Sequence, residues 1–421
     1  MIVGAGFGGI ALAKSLKNSP FDVVLIDKNN YHTFIPLLYQ VATGGLEPDS
    51  IAYPVRRIIR KAPNIIFRMA EVSQIHREDK YLSTNIGDIS YDYLVIATGS
   101  TNNFFSFEPT KEELLTLKSV PEALDMRSFI MQNLEKALYT DDNEEHQELI
   151  NIVIIGGGPA GVELAGALAE MRKYVLPKDF PELDINRMKI YLFEASPDLL
   201  SFMSQKASDK TRKYLQKLGV DVQTNTRVKN YIDSKIYLEN GSTIPVNTVI
   251  WTAGVKGYPI PGLPENSIVG PNRISVNEYN RVVGDESIYA IGDVAFQTTE
   301  KYPGGLPMLA PVAVSQGKLL AKNFKRLLTK TDIKPHSYIN KGVMATIGRN
   351  RAVADLPGSM LTGALAWMVW MLVHIMSLVG FKNKVVAVVG WTANYFNYDR
   401  PLGLIIRPFS KKPMPVTDKN L

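Results

Sequence analysis

Three features of this 421-residue chain predict an α/β fold built on two doubly wound, Rossmann-like units. A glycine-rich turn of the form G-x-G-x-x-G occurs twice, once from Gly4 to Gly9 and again from Gly156 to Gly161. Each turn is followed by a helix-length stretch and then an apolar strand ending in an acid, Asp27 in FDVVLIDKN and Glu194 in KIYLFEASP. Each unit closes on a later apolar strand and a small-residue turn, YDYLVIATGS in the first copy and NTVIWTAGV in the second. One supersecondary unit has been written out twice.

The residue types have physical reasons. Gly4 and Gly156 allow a tight turn, Gly6 and Gly158 let the backbone approach a pyrophosphate, and Gly9 and Gly161 let helix and strand pack closely. The phosphates then lie over a helix N-terminus, where unpaired N–H groups and the dipole favour negative charge. Asp27 and Glu194 are placed to accept from a ribose diol. A carboxylate there repels a 2′-phosphate, so Glu194 favours NADH over NADPH. Two dinucleotide units imply two cofactors, one resident flavin (FAD) and one visiting nicotinamide (NADH), exchanging a hydride. The segment YAIGDVA delivers Asp293 from an apolar strand toward a ribityl hydroxyl. It follows the second unit, so the FAD domain is split by an inserted NAD domain.

Composition narrows the chemistry. There is no cysteine, which removes disulphide staples, thiolate nucleophiles and thiolate metal sites, and five histidines argue against a metal centre. From Thr331 onward eleven Lys and Arg stand against four Asp and no Glu, +7 within a net charge of +6. A neutral body with a basic tail suits an anionic membrane surface and not nucleic acid. No leader sequence precedes the first motif.

Longer stretches carry a resemblance. The runs NNYHTFIPLLYQVATGGL (Asn29 to Leu46), GPAGVELAGAL (Gly158 to Leu168), GGLPMLAPVAVSQGKLLAKN (Gly304 to Asn323) and KGVMATIGRNRAVAD (Lys341 to Asp355) resemble the type II NADH dehydrogenases. These are single-subunit NADH:quinone oxidoreductases that do not pump protons. The resemblance spans essentially the whole chain. It implies that Gly4, Gly6, Gly9, Asp27, Asp293 and the closing Ala97-Thr98-Gly99 bind FAD, with free N–H groups after Pro311 and Val312 facing the flavin. It likewise implies that Gly156, Gly158, Gly161, Glu194 and the closing Thr252-Ala253-Gly254 bind NADH. Glu163 matches a glutamate serving proton transfer or nicotinamide placement, against the alternative of a solvated first-turn acid. Gln316 matches a glutamine lining a quinone tunnel, with Tyr39, Gln40 and Ser315 on the quinone side and the loop Pro36 to Gln40 passing the flavin. Many relatives read A-Q-x-A-x-Q-Q-G where this chain has Ala310-Pro311-Val312-Ala313-Val314-Ser315-Gln316-Gly317. Relatives that use a redox-active cysteine pair are excluded.

The tail completes the plan. Leu356 to Phe381 contains no charged residue, long enough to be a bilayer span, a buried or oligomer-face helix compatible with a homodimer, or an interfacial helix. Trp367 and Trp370 lie mid-segment, which suits the interface. After it VVAVV reads as a strand, and Trp391, Tyr395 and Tyr398 share a helical face beside Arg400, Arg407, Lys411 and Lys412, suiting the headgroup layer.

The expected domains are therefore 1–108 and 265–330 for FAD, 109–264 for NADH, and 331–421 for docking through residues 356–412. The expected protein is monotopic, on the cytoplasmic face of the cell membrane, reducing ubiquinone or menaquinone. A reductase of a soluble protein acceptor and a membrane-bound flavoprotein sensor are the rival readings. The acidic run Asp141 to Glu145 reads as a solvated loop. Only Met1, Ile2 and Val3 precede Gly4, whereas the second copy has two further residues, Asn151 and Ile152, so the first strand reads as clipped and the true start as lying upstream.

Overall fold

The computed structural model describes residues 1–397, 403–405 and 408–411. Chain contacts divide it into two compact units. The first comprises Met1–Thr33, Ala52–Thr101 and Val255–Asn340; the second comprises Phe34–Ile51, Asn102–Gly254 and Lys341–Leu421.

In the first unit five parallel strands lie in the order Ile288–Ala290, Leu94–Ile96, Ile2–Val3, Val23–Asp27 and Ile65–Met69. Ile2 and Val3 sit between Leu25 and Ile26 on one side and Val95 and Ile96 on the other, so the two-residue strand occupies the sheet's centre. The helices Phe7–Ser15 and Ala310–Leu328 pack together, and a Cβ on Gly317 would come within 2.6 Å of the Gly8 carbonyl. This close approach is what the small residues of both helices are for. The core runs through Ile10, Leu12, Leu25, Phe67, Leu320 and Phe324.

The second unit repeats the plan with strands Val220–Gln223, Ile190–Phe193, Ile152–Ile155 and Thr248–Trp251, again parallel. All four residues of Ile152–Ile155 are buried, as a central strand covered on both faces requires. Helix Pro159–Tyr174 follows its glycine turn. Asp141 to Glu145 is not a loop throughout: Asp142 caps the helix Asn143–Ile150, its carboxylate accepting from the N–H groups of Glu144 and Glu145 at 2.8 and 2.9 Å. Acids suit that position because they meet the orphan donors and the positive end of the dipole.

The segment from Lys341 adds a three-stranded antiparallel sheet, Val343–Thr346, Ala352–Leu356 and Ser359–Thr362, followed by helices Gly363–Ser377 and Phe381–Asn397. Three expectations for this tail are corrected. The uncharged stretch is not one long helix, because Ser359–Thr362 pairs with Ala352–Leu356 and the helix begins only at Gly363. VVAVV is helical: Asn383, Ala387 and Trp391 recur every four residues, and Ala387 is fully buried while the valines point outward. That inward period outweighs the modest helix cost of β-branched residues, roughly half a kcal/mol each. Lys411 is tucked into the second unit, donating to Asn247 O and Tyr231 Oη with its ammonium 4.8 Å from the Phe129 ring centre, so it does not face headgroups. Tyr398, Arg400, Arg407 and Lys412 lie outside the described residues, as does the side chain of Tyr395. Among the described residues no helix is long and apolar enough to cross a membrane.

Candidate functional site

The two glycine turns share one geometry. Gly4 and Gly156 have φ of 108° and 114°, so an L side chain would be strained, and its Cβ would strike the closing turn of its own unit. The obstacle is Ala97 O at 2.3 Å in the first unit and Ala253 N at 2.7 Å in the second. Gly9 and Gly161 are closed in the same way by the carbonyls of Gly4 and Gly156, at 1.9 and 2.0 Å. Gly6 and Gly158 differ: each is the N-cap of its helix, and a Cβ would meet nothing within 4 Å. Those open spaces above a helix N-terminus are the cradles a pyrophosphate needs, and the residues present fit FAD and NADH.

The acids are matched as closely. Asp27 accepts from the N–H of Ala5 at 2.7 Å and of Asn29 at 2.7 Å. Glu194 accepts from the N–H of Gly157 at 2.6 Å and of Ser196 at 2.8 Å. In each unit the acid therefore ties the glycine turn to the strand that carries it, while keeping lone pairs for a ribose. Burial pushes the Asp27 carboxyl up, and its two backbone hydrogen bonds pull it back.

The other first-unit residues gather around the same sheet edge. Thr98 Oγ1 donates to Tyr258 O at 2.5 Å, and the Tyr258 N–H donates to Gly99 O. Ser100 Oγ donates to Asp293 Oδ2 at 2.8 Å. Arg273, unflagged in the sequence, is buried and donates to the carbonyls of Asp293, Ala295 and Leu306. It holds the turn on which Asp293 sits. Pro311 lies at the exposed start of helix Ala310–Leu328, with Val312 buried behind it.

Gln316 sits inside the first unit. It is 1 % exposed, accepts from the Gly292 N–H at 2.8 Å and donates to Gln297 Oε1 at 3.0 Å. Gln297 and Ser315 both engage His336, at 3.0 and 2.9 Å, and burial pushes that imidazole down to about 4. The Gln316 amide is thus held in a network inside the first unit, and Ser315 belongs to the same network. The partners lie up to 39 residues apart, beyond the reach of local patterns.

The second unit holds a separate cleft whose lining includes Tyr39, Gln40, Thr346, Trp367, Trp370 and Trp391. Trp391 Nε1 donates to Gln40 Oε1 at 2.6 Å, and Gln40 Nε2 donates to Tyr39 Oη at 2.9 Å. Trp370 is 2 % exposed, stacked on His374 at 4.2 Å and near Trp391 at 5.7 Å. Of the mid-segment tryptophans, Trp370 therefore faces inward, and Trp367, half-buried, lines the cleft. His374 packs: its Nδ1 bonds Trp370 O at 2.7 Å and its ring meets Phe34 edge-on.

Behind this wall sits Glu163, 7 % exposed on helix Pro159–Tyr174. It accepts from the Thr346 N–H at 3.3 Å. Among the described residues the Trp370 indole N–H has no hydrogen-bond partner, yet it lies near enough to favour the carboxylate. Burial dominates and pushes the carboxyl up to about 8. This is no solvated first-turn acid. Glu170, three residues beyond Ala167 on the same helix, lines the cleft and accepts from the Arg349 N–H.

Residues 1–317 match the sequence profile of the pyridine nucleotide-disulphide oxidoreductases, and residues 340–397 match the NDH2 C-terminal domain. The class is thereby defined, although a chain without cysteine has no disulphide to work with. The type II NADH:quinone oxidoreductase Ndh of Mycobacterium tuberculosis is 31% identical over 415 residues, covering 95% of this chain and 88% of that protein. An external alternative NADH-ubiquinone oxidoreductase of Yarrowia lipolytica mitochondria is 27% identical, covering 93% and 78%. NDH2 from Plasmodium falciparum, solved in complex with NADH, superposes with a TM-score of 0.87 at 22% identity, covering 95% and 98%. This chain belongs to the type II NADH:quinone oxidoreductase family.

Proposed function

We propose that this chain oxidises NADH and reduces a membrane quinone, without pumping protons, and that the tryptophan-lined cleft of the second unit receives the quinone headgroup. FAD, when bound, supplies a redox centre that takes a hydride from NADH and gives up two electrons. The chain's own residues do the rest. Gly6 and Gly158 leave room for the two pyrophosphates, and Asp27 and Glu194 orient the riboses. Asp293 and the backbone of Ala97 to Gly99 position the first cofactor, Ala253 and Gly254 the second, and the N–H groups following Pro311 offer charge stabilisation. Gln40, held between Trp391 and Tyr39, presents a polar group at the aromatic wall. Glu163 holds a proton at neutral pH and is placed to release one toward the cleft.

The observation that carries this reading is a buried glutamate, bonded to the Thr346 N–H, behind a cleft lined by three of the four tryptophans. A quinone needs flat apolar walls and a proton source, and both are present.

The same reading makes the protein monotopic. Leu365, Met368, Leu372 and Met376 recur along one face of helix Gly363–Ser377, each at least half exposed. Val385, Val388 and Val389 add an exposed apolar face on the next helix. Contiguous apolar surface of this kind suits lipid, and the cytoplasmic leaflet, with its anionic lipids, suits the basic tail.

The test is anaerobic mixing of purified protein with NADH and then with a ubiquinone or menaquinone analogue. NADH bleaches the flavin absorbance and the quinone restores it. Trp370→Ala and Gln40→Ala slow the second phase and spare the first. Equal rates in both variants would remove the quinone from this cleft.

A further inference from the structure

We propose that a basic pocket on the first unit, remote from its glycine turn, binds the phosphate of an anionic ligand. The pocket has a volume of about 450 Å³ and is lined by Lys14, Lys17, Arg57, Arg60 and Lys61 together with Tyr53. That volume falls within the usual range of small-ligand sites, roughly 300–1,000 Å³. The remaining lining residues are aliphatic, and no carboxylate is among them. Among the described residues none of the five cationic side chains has an ion-pair or side-chain hydrogen-bond partner, although surface cations ordinarily find carboxylates.

The placement separates this pocket from the FAD turn. Lys14 is in the last turn of helix Phe7–Ser15, whose N-terminus carries the turn, and nine residues of helix span about 13 Å. Ile65, also in the lining, is the first residue of strand Ile65–Met69. The pocket therefore opens at the N-terminal edge of the parallel sheet, whereas dinucleotides bind at the C-terminal edge. Helix C-termini attract cations, which accounts for Lys14 and Arg57 separately. It does not account for five positive charges converging on one concavity. Like charges repel there until an anion neutralises them, and Arg57 and Arg60 offer the forked donors that match phosphate oxygens. The aliphatic floor and the Tyr53 ring give an attached organic group a surface.

Two sources supply such chemistry, a soluble organic diphosphate and an anionic lipid headgroup, and the test separates them. Holoenzyme is titrated calorimetrically with inorganic pyrophosphate and with ADP at low and high salt. In parallel it is sedimented with phosphatidylcholine vesicles containing or lacking phosphatidylglycerol. The comparison is with the triple variant Arg57→Ala, Arg60→Ala, Lys61→Ala, and with Lys17→Glu in case the triple variant misfolds. The expected result is binding that weakens at least tenfold in both variants and falls with salt, while NADH turnover with a water-soluble acceptor stays within twofold. Loss confined to pyrophosphate and ADP assigns a soluble ligand; loss confined to phosphatidylglycerol assigns the headgroup. If wild type binds none of these probes, or binds them as the variants do, the pocket is no phosphate site.

Discussion

Glu163 illustrates how one side chain couples function to stability. Its carboxyl keeps a proton to about pH 8 when folded, against an ordinary value of 4.5. Between those values the folded chain binds more protons than the unfolded one, so this group's contribution to stability falls as pH rises through the window. Glu163→Gln cannot ionise and escapes that loss. Its melting temperature relative to wild type rises by several degrees, ~5 °C, between pH 5 and pH 8.5 in paired thermal scans. The same variant drops quinone turnover about 100-fold, and its rate profile loses any inflection near pH 8. A flat stability difference would mean that the carboxyl titrates normally. Glu194 makes the companion case. On the proposed reading its charge excludes a 2′-phosphate, and its oxygens also hold Gly157 and Ser196. Glu194→Arg surrenders that anchorage along with the charge, whereas Glu194→Gln keeps an acceptor. The glutamine variant raises the NADPH-to-NADH ratio of kcat/KM about tenfold with little thermal cost, measured by steady-state kinetics on both cofactors.

At the scale of elements, the glycine turns allow the site to be separated from the scaffold. Gly158→Ala adds a methyl to open space and Gly161→Ala drives one into the Gly156 carbonyl. The first variant folds with a melting temperature within about 2 °C of wild type but raises KM for NADH about tenfold; the second loses the fold of the unit. Thermal scans and NADH titrations distinguish them. These turns, their acids and the YAIGDV strand end were readable in sequence because each signal is a short local run of residues. VVAVV was not, because five apolar residues do not declare a period, and only the recurrence of Asn383, Ala387 and Trp391 does. The Asp141–Glu145 run misled for the opposite reason: composition suggested a loop where position made a cap.

At the scale of the whole chain, the quinone side was the least legible part. Tyr39 and Gln40 line the cleft, while Gln316 and Ser315, which the resemblance put on the quinone side, share a network with Gln297 and His336. No local pattern places Gln40 beside Trp391, 351 residues away. The aliphatic face of the C-terminal helices was readable as apolar surface, though Trp370, one of the tryptophans that suggested an interface, turns inward. Leu372→Glu with Met376→Glu puts charges on that face. The double variant partitions from vesicles into the soluble fraction on flotation, keeps NADH oxidation by a water-soluble acceptor, and loses most activity with a long-chain quinone.

The doubled acid clamp has an evolutionary consequence. A residue that fastens the turn and, on the proposed reading, also selects the cofactor resists reversal of its charge, since that change also loosens the backbone it holds. A lineage that reaches a phosphorylated dinucleotide through a basic residue at this position must first acquire another tether for Gly157 and Ser196. The order of substitutions, and not only their identity, is thereby constrained, and an intermediate with a spare anchor is the gateway between the two cofactor habits.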